Sequence, residues 1–270
     1  MTESDALITG YDGTEIPAVV CRPDAEASVD RMVVLLHGVT TSKDEYQDTY
    51  RRLARQLADA GAASIRFDFR GHGDSRAPLA EYCVRNQLLD LLTVLSWAES
   101  EQGARRFCVE AASFGAPAAI SAALVRPELV VKLVLLAPVL SFYDTFVEPK
   151  TEWAEEHFGI DKIRRVLNGH DRFELEPGFF LGQEFAADLV TASPESALEH
   201  LPTPVTVLHG NRDGMVPFAV SDRICTASDS VTLRVMENTE HGLGVAGDDD
   251  QAAAETQDNY DLLVRELISE

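Results

Sequence analysis

The sequence predicts an α/β fold: a mostly parallel central sheet with helices on both faces and a helical segment inserted after the sixth strand. Three observations lead there. Apolar runs of strand length recur along the 270 residues, helical stretches separate most of them, and one interval of about 60 residues breaks the rhythm. The runs are continuous rather than alternating, the pattern of strands buried on both faces of a parallel sheet. Strand-to-helix connections in such sheets are a few residues long, so an interval of that size is an insertion.

Residues 6 to 22 read as two short strands around the Asp12-Gly13 turn, an opening hairpin. Six further strands follow at "MVVLLHG", "ASIRFDF", "FCVEAAS", "KLVLLAPVL", "PVTVLHG" and "VTLRVME". Between them, residues 44 to 60 carry Tyr50, Leu53, Leu57 and Ala60 at helical spacing before Gly61, which serves as a stop. Residues 84 to 99 repeat the pattern with Leu88, Leu91, Leu92 and Leu95, and residues 252 to 268 place Tyr260, Leu263, Val264 and Leu267 on one stripe. The acidic patch "GDDD" at 247 to 250 reads as a solvated loop. These elements divide the chain into a core of residues 1–140 and 202–270 and an inserted cap at 141–201. The insertion holds seven of the chain's 12 phenylalanines, enough aromatic surface for a small core of its own or for the lining of an apolar pocket.

Composition narrows the partners. With 23 basic against 45 acidic residues the formal net charge is −22, a field that repels nucleic-acid phosphates and anionic membranes. A small, neutral or apolar substrate fits better. Cys21, Cys83, Cys108 and Cys225 lie far apart without a Cys-x-x-Cys pair, so buried free thiols are expected rather than a metal or redox site. The stretch "MTESDALITG" lacks the basic and apolar regions of a secretory signal, and no apolar run approaches a membrane span. A cytoplasmic location is the expectation. Oligomeric state is not legible.

Ligands of open α/β sheets bind outside the carboxyl ends of the strands, so the residues just after each strand are the candidates for chemistry. Ser113 ends "FCVEAAS", His37-Gly38 ends "MVVLLHG", Asp213 follows "PVTVLHG", and His241 follows "VTLRVME". That order, Ser, Asp, His, and those positions resemble the α/β-hydrolase family over nearly the whole chain. The family's nucleophile sits in Gly-x-Ser-x-Gly, whose small residues let the backbone fold into a strained turn. Here the pattern is Ala111-Ala112-Ser113-Phe114-Gly115, with alanine in place of the first glycine.

The resemblance implies a role for each residue. "HGNRDGMVP" is similar to the family's His-Gly-x-x-Asp-x-x-Val-Pro segment and makes Asp213 the acid; Asp144, after the preceding strand, is the competitor. His241 is the base. A serine hydroxyl is a weak nucleophile, and a histidine whose ordinary pKa is near 6.5 can take its proton during attack while the aspartate holds the imidazole's tautomer. Val39, in the loop after "LLHG", and Phe114 offer the two oxyanion N–H groups. His37 reads as a structural loop histidine, and Asp68, His72 and Asp74 in "FDFRGHGDS" as the framework of a turn; His157, His170, His200 and His209 match no motif and read as surface or core residues. Phe142, Phe146, Phe179 and Phe180 are the candidates for an acyl pocket. The chemistry calls for no metal and no cofactor.

Substrate class rests on two further resemblances. "DGTEIPAVVCRP", "LHGVTTSKDEY" and "RFDFRGHGDS" look like bacterial cinnamoyl or feruloyl esterases, which carry an insertion of this length in this place. "EAASFGA" and "FFLGQEFAADL" look like the fatty acyltransferase, an acyl-carrier-protein thioesterase, of bacterial bioluminescence systems. Together they imply a serine hydrolase that cleaves an ester or thioester of a moderately apolar acyl group through an acyl-enzyme. Whether a small molecule or a carrier protein bears the acyl group stays open. An acyltransferase using the same triad to reach an alcohol, amine or carrier is the alternative, and a non-catalytic ligand-binding or lyase member of the fold is a third.

Overall fold

The structure, a computed structural model, describes residues 1–24, 29–247 and 249–269. Strands β1 (Thr2–Thr9), β2 (Glu15–Arg22), β3 (Arg31–Leu36), β4 (Ala63–Phe67), β5 (Arg106–Ala112), β6 (Val130–Leu136), β9 (Val205–Gly210) and β10 (Val231–Met236) form one sheet. Its order is β1-β2-β4-β3-β5-β6-β9-β10. β1 and β2 pair antiparallel, as do β2 and β4; all other neighbours are parallel. The hairpin begins four residues before the point its hydrophobicity suggests, because the first residues of the edge strand β1 are solvent-exposed and carry no apolar signal.

Helices α1 (Thr49–Asp59) and α9 (Asp250–Ile268) cover one face, burying Tyr50, Leu53 and Leu57 of the first and Tyr260, Leu263 and Leu267 of the second against Val33, Leu35 and Ala112. Helices α2 (Val84–Trp97), α3 (Ala116–Val125) and α8 (Phe218–Thr226) cover the other. α1 is shorter than the spacing from 44 to 60 predicts. The backbone before it is a loop in which Thr40, Glu45, Gln47 and Asp48 all have positive φ, a conformation no helix contains. Ala60 is exposed just beyond the helix end.

The acidic stretch 247–250 is only partly a loop. Asp248 lies outside the described residues, but Asp249 caps α9 by accepting the Ala252 N–H at 2.8 Å, and Asp250 is the first residue of the helix. Carboxylates at a helix N-terminus satisfy its free amides and its dipole.

Between β6 and β9 the chain forms α4 (Glu152–His157), α5 (Ile160–Leu167), the hairpin β7 (Phe173–Glu176) and β8 (Phe179–Leu181), then α6 (Gln183–Thr191) and α7 (Pro194–Leu198). The insertion is thus not wholly helical. The hairpin escapes the sequence pattern because its strands are only four and three residues long, turning at Gly178, whose φ is +85°. Its aromatic core is continuous with the α2–α3–α8 face: Phe114 stacks on Phe142 at 5.6 Å and tilts on Phe185 at 4.9 Å, and Phe146, Phe158 and Phe173 extend the cluster. Burial of each such ring contributes roughly 1.5–3 kcal/mol, which fixes the insertion to the sheet. A polar contact adds to this, since Asp188 of α6 accepts the Val84 N–H at the start of α2. All four cysteines are buried free thiols. Among the described residues no helix is long and apolar enough to cross a membrane.

Candidate active site

Ser113 stands at the carboxyl end of β5 with φ +49°, a left-handed conformation that costs a non-glycine residue free energy and that only a tightly packed turn sustains. The packing is visible at Gly115, where an added Cβ would lie 2.9 Å from the His37 carbonyl oxygen and 3.0 Å from that of Leu36. Glycine there lets the head of α3 lie against the end of β3. Ala111, which replaces the usual first glycine, is buried within β5 and leaves the turn intact. Ser113 itself is half-buried.

The loop after β3 lies beside this turn, and an added Cβ on Gly38 would sit 3.3 Å from Ser113 Cβ. His37 is fully buried and pins the loop: its Nε2 accepts the Phe69 N–H at 3.0 Å, so Nδ1 donates to the Gly38 carbonyl at 2.7 Å. Burial pulls its pKa down to about 4, so it stays neutral. Glu45 holds the same loop from the other side. Its Oε2 accepts the Gly38 N–H at 2.8 Å and the Thr41 hydroxyl at 3.1 Å, while Oε1 accepts the Tyr46 N–H. Among the described residues neither the Val39 nor the Phe114 N–H donates to a protein acceptor. Val39 precedes Thr40 and Phe114 follows Ser113, and Thr40 and Ser113 are both held at positive φ.

Asp213 and His241 meet. His241 Nδ1 donates to Asp213 Oδ2 at 2.7 Å, which leaves Nε2 as the acceptor nitrogen. Asp213 is buried and its Oδ1 accepts the N–H groups of Met215 and Val216 at 2.8 and 2.9 Å. Burial opposes its charge, but the two imidazoles of His241 and His209 outweigh that and hold the carboxyl far below its ordinary range. Burial likewise opposes the His241 cation, and the Asp213 charge and hydrogen bond, with the more distant Glu45 carboxylate, overcome it and raise the pKa above 6.5. The loop that carries His241 is sewn to the turn after β9: Arg212 N–H donates to the Thr239 carbonyl at 3.0 Å, and Asn259 of α9 donates to Thr239 Oγ1 and to the Leu243 carbonyl. Among the described residues no hydrogen bond joins Ser113 Oγ to His241. Glu45 links the two sides, bonding Gly38 next to Ser113 while its charge faces His241.

The other candidates lie apart. Asp144 accepts from Ser141 Oγ at 2.9 Å and from Arg223 at 3.3 Å, so its carboxylate serves the junction of the insertion with α8. Asp68 is buried and accepts the backbone and side-chain nitrogens of Lys43 and the Asp74 N–H. His72 is packed against His37, Tyr82 and Phe179, and burial pulls its pKa down to about 3. Of the pocket candidates, Phe142 and Phe146 are buried in the aromatic cluster, Phe179 lies edge-on to His72 at 5.2 Å, and Phe180 stacks under the Arg172 guanidinium at 3.8 Å. A cavity of about 330 Å³ opens beyond Phe142, lined also by Tyr143, Val147 and Leu189. None of Ser113, Asp213 or His241 lines it. Among the described residues no cluster of side chains is suited to a metal ion.

Two functional neighbours were not legible as such. His209 is a core residue, as one of its two readings has it, but its ring also reaches Asp213 Oδ2 at 3.1 Å; the hint was its position four residues before the aspartate in "HGNRD". Glu45 gave no sign, since it falls in the stretch 44–60 that its spacing predicts as helix. Beneath the turn, Glu110 of β5 is fully buried, and neither carboxyl oxygen has a hydrogen-bond partner among the described residues; the nearby Tyr50 hydroxyl donates to the Leu36 carbonyl at 2.6 Å instead. Burial, eased by Tyr50 but reinforced by Glu45, pushes the Glu110 pKa well above the carboxylate range.

The chain is similar to the mitochondrial palmitoyl-protein thioesterase ABHD10 of Rattus norvegicus, 29% identical over 202 residues that cover 70% of this chain and 62% of that protein. It is 27% identical over 201 residues to the lysophosphatidylserine lipase ABHD12 of Danio rerio, covering 72% and 46%. The chain therefore spans less than two thirds of the length of these relatives. Its backbone superposes on Est1E from Butyrivibrio proteoclasticus, solved with ferulic acid bound, with a TM-score of 0.77 and 18% identity over 98% of this chain and all of that one, a likeness of fold. With residues 33–256, most of its length, matching the model of the alpha/beta hydrolase family, the chain belongs to that family.

Proposed function

We propose that this protein is a serine hydrolase that cleaves an ester or thioester of a moderately apolar acyl group. The observation that carries the reading is the buried Asp213 bonded at 2.7 Å to His241, on the same sheet rim as a serine held at positive φ. In this reading Ser113 Oγ attacks the acyl carbonyl as its proton passes to His241 Nε2, and the Val39 and Phe114 N–H groups take the charge that develops on oxygen. Collapse of that intermediate breaks the bond to the leaving alcohol or thiol, which takes the proton from His241. Water then repeats the sequence on the acyl-enzyme, and Asp213 stabilises the imidazolium each time.

Residues 141–201 act as a cap over the core of residues 1–140 and 202–270, and its aromatic cluster behind Phe114 sets acyl preference. Relatives named as a palmitoyl-protein thioesterase and a lysophosphatidylserine lipase support an apolar acyl group. A net charge of −22 disfavours an acidic carrier and supports a small-molecule or uncharged acyl donor. Four free thiols fit a reducing cytoplasm.

The test has two arms. A fluorophosphonate probe should label Ser113, located by peptide mapping. A panel of p-nitrophenyl esters and acyl thioesters, including aromatic acids, should then show turnover that varies with the acyl group. Folded protein that is neither labelled nor active on the panel would sink the reading.

A further inference from the structure

Asp213 Oδ2 receives two imidazole N–H groups. His241 Nδ1 lies at 2.7 Å and His209 Nε2 at 3.1 Å, while Oδ1 is already occupied by two backbone amides. The second imidazole is fully buried between β9 and α8, with the Phe218 ring edge-on to it at 5.6 Å. Its remaining nitrogen, Nδ1, lies 2.8 Å from Ser221 Oγ of α8. A carboxylate oxygen can only accept, so His209 Nε2 carries a proton toward Asp213, and in the neutral ring Nδ1 accepts the Ser221 hydroxyl. The result is a four-member chain, Ser221 to His209 to Asp213 to His241.

We propose that His209 is a positioning residue for the hydrolytic reaction: oriented by Ser221, it fixes the rotation of the Asp213 carboxylate and shares the oxygen that holds His241. The inference rests on the triad reading above. Its physical content is competition. An oxygen that already accepts one N–H is a weaker acceptor for a second, so His209 tempers the pull of Asp213 on the His241 proton while it locks the direction of that pull. The shorter bond goes to the partly buried His241, whose side chain retains 23% of its accessible surface, and the longer to the fully buried His209. Such a division keeps Asp213 aimed at His241 whether or not that ring is charged.

The groups that face this chain are few. Asp213 and Glu45 face His241, Asp213 and Ser221 face His209, and Asp213 is faced by the two imidazoles and the amides of Met215 and Val216. A pH profile therefore reports on His241 as modulated by His209, and not on a distant lysine or arginine.

The experiment compares His209→Leu, His209→Gln and Ser221→Ala with the unsubstituted chain, using the best substrate of the ester panel. His209→Leu removes the donor; kcat/KM is expected to fall about 10- to 100-fold, chiefly in kcat, and the acid limb of its pH profile to move upward as Asp213 binds the His241 proton more tightly. In proton NMR the downfield His241 Nδ1–H resonance should shift. His209→Gln restores an N–H donor and should recover much of the rate. Ser221→Ala leaves the ring in place and should cost about 3- to 10-fold, the worth of one hydrogen bond. A folded His209→Leu protein with unaltered kcat/KM, acid limb and resonance overturns the proposal. Should that variant fail to fold, unaltered kinetics in Ser221→Ala overturns it. Absence of phosphonate labelling in the unsubstituted chain would instead sink the triad reading, so the two failures are distinguishable.

Discussion

Gly210, the last residue of β9, is the position where the smallest chemical change should do the most damage to the site. A Cβ built there lies 2.2 Å from the Thr239 carbonyl oxygen and 2.7 Å from that of Glu240, both backbone atoms of the loop that carries His241. Carbon and oxygen do not normally approach closer than about 3.3 Å, so Gly210→Ala must move that loop by roughly 1 Å. The Thr239 carbonyl also accepts the Arg212 N–H, so the displacement breaks a bond between the Asp213 and His241 loops as well as stretching the 2.7 Å Asp213–His241 contact. A 1 Å misplacement of catalytic groups costs about 100-fold in rate, and overpacking of this kind costs about 1–3 kcal/mol of stability. The assay is kcat/KM on the best ester substrate alongside thermal unfolding, with Gly214→Ala as the control. Gly214 has nothing within 4 Å of the same added atom and sits beside Asp213, so its variant should behave like the parent. Near-parental activity in Gly210→Ala would refute the claim that the two loops are registered by this contact.

The other predictions concern single groups. Ser113→Ala should abolish turnover and phosphonate labelling with a melting temperature close to the parent's, because the substitution removes one oxygen from a half-buried side chain; purified variant that still hydrolyses substrate would contradict it. Glu45→Ala should lower kcat about 10-fold or more with KM nearly constant, since it frees the Gly38 N–H and unpins the loop that carries the proposed oxyanion donor Val39, and Glu45→Gln should recover part of the loss; equal kinetics in all three proteins would count against it. In the proposed mechanism His241 must be neutral to accept the serine proton, and its pKa is raised, so the acid limb of kcat/KM should lie above pH 6.5; a limb at or below that value would be the contrary result. Stability from the same ring runs the other way: it is complete below the unfolded value of 6.5 and is lost as pH rises through the folded one. The contribution of Asp213, whose pKa is lowered, is complete above the unfolded 3.8 and is lost only as pH falls through the folded value, which acid unfolding followed by circular dichroism can separate.

Much of this was open to a reading of the residues because the relevant physics is local. Continuous apolar runs announce two-sided burial, and β3 to β6 and β9 are buried almost throughout, whereas β10, at the sheet edge, leaves Thr232, Arg234 and Val235 exposed. The turn at Ser113 is legible because strain of that kind demands small neighbours, and Ala111 and Gly115 supply them. What escaped depends on contacts distant in sequence or on very short segments. The edge strand β1 begins in polar residues, the hairpin of β7 and β8 is too short for periodicity to register, and the loop at 40–48 borrows its unusual backbone from bonds such as Lys43 to Asp68 and Glu45 to Gly38. His209 escaped for a different reason: "HGNRD" sets it four residues before Asp213, but spacing alone does not say that the two side chains bond.

Glu110 has a consequence for how this protein tolerates alkali. Its folded pKa is raised, so the native state keeps a proton that the unfolded chain has already released at neutral pH, and by linkage each step up in pH from about 4.5 toward the folded value subtracts from stability. The penalty falls directly under the seat of Ser113, where a rigid floor keeps the elbow bent. Replacement by glutamine would remove the ionisation and with it that slope, so the substituted protein should outlast its parent in basic buffer while the two converge in mild acid.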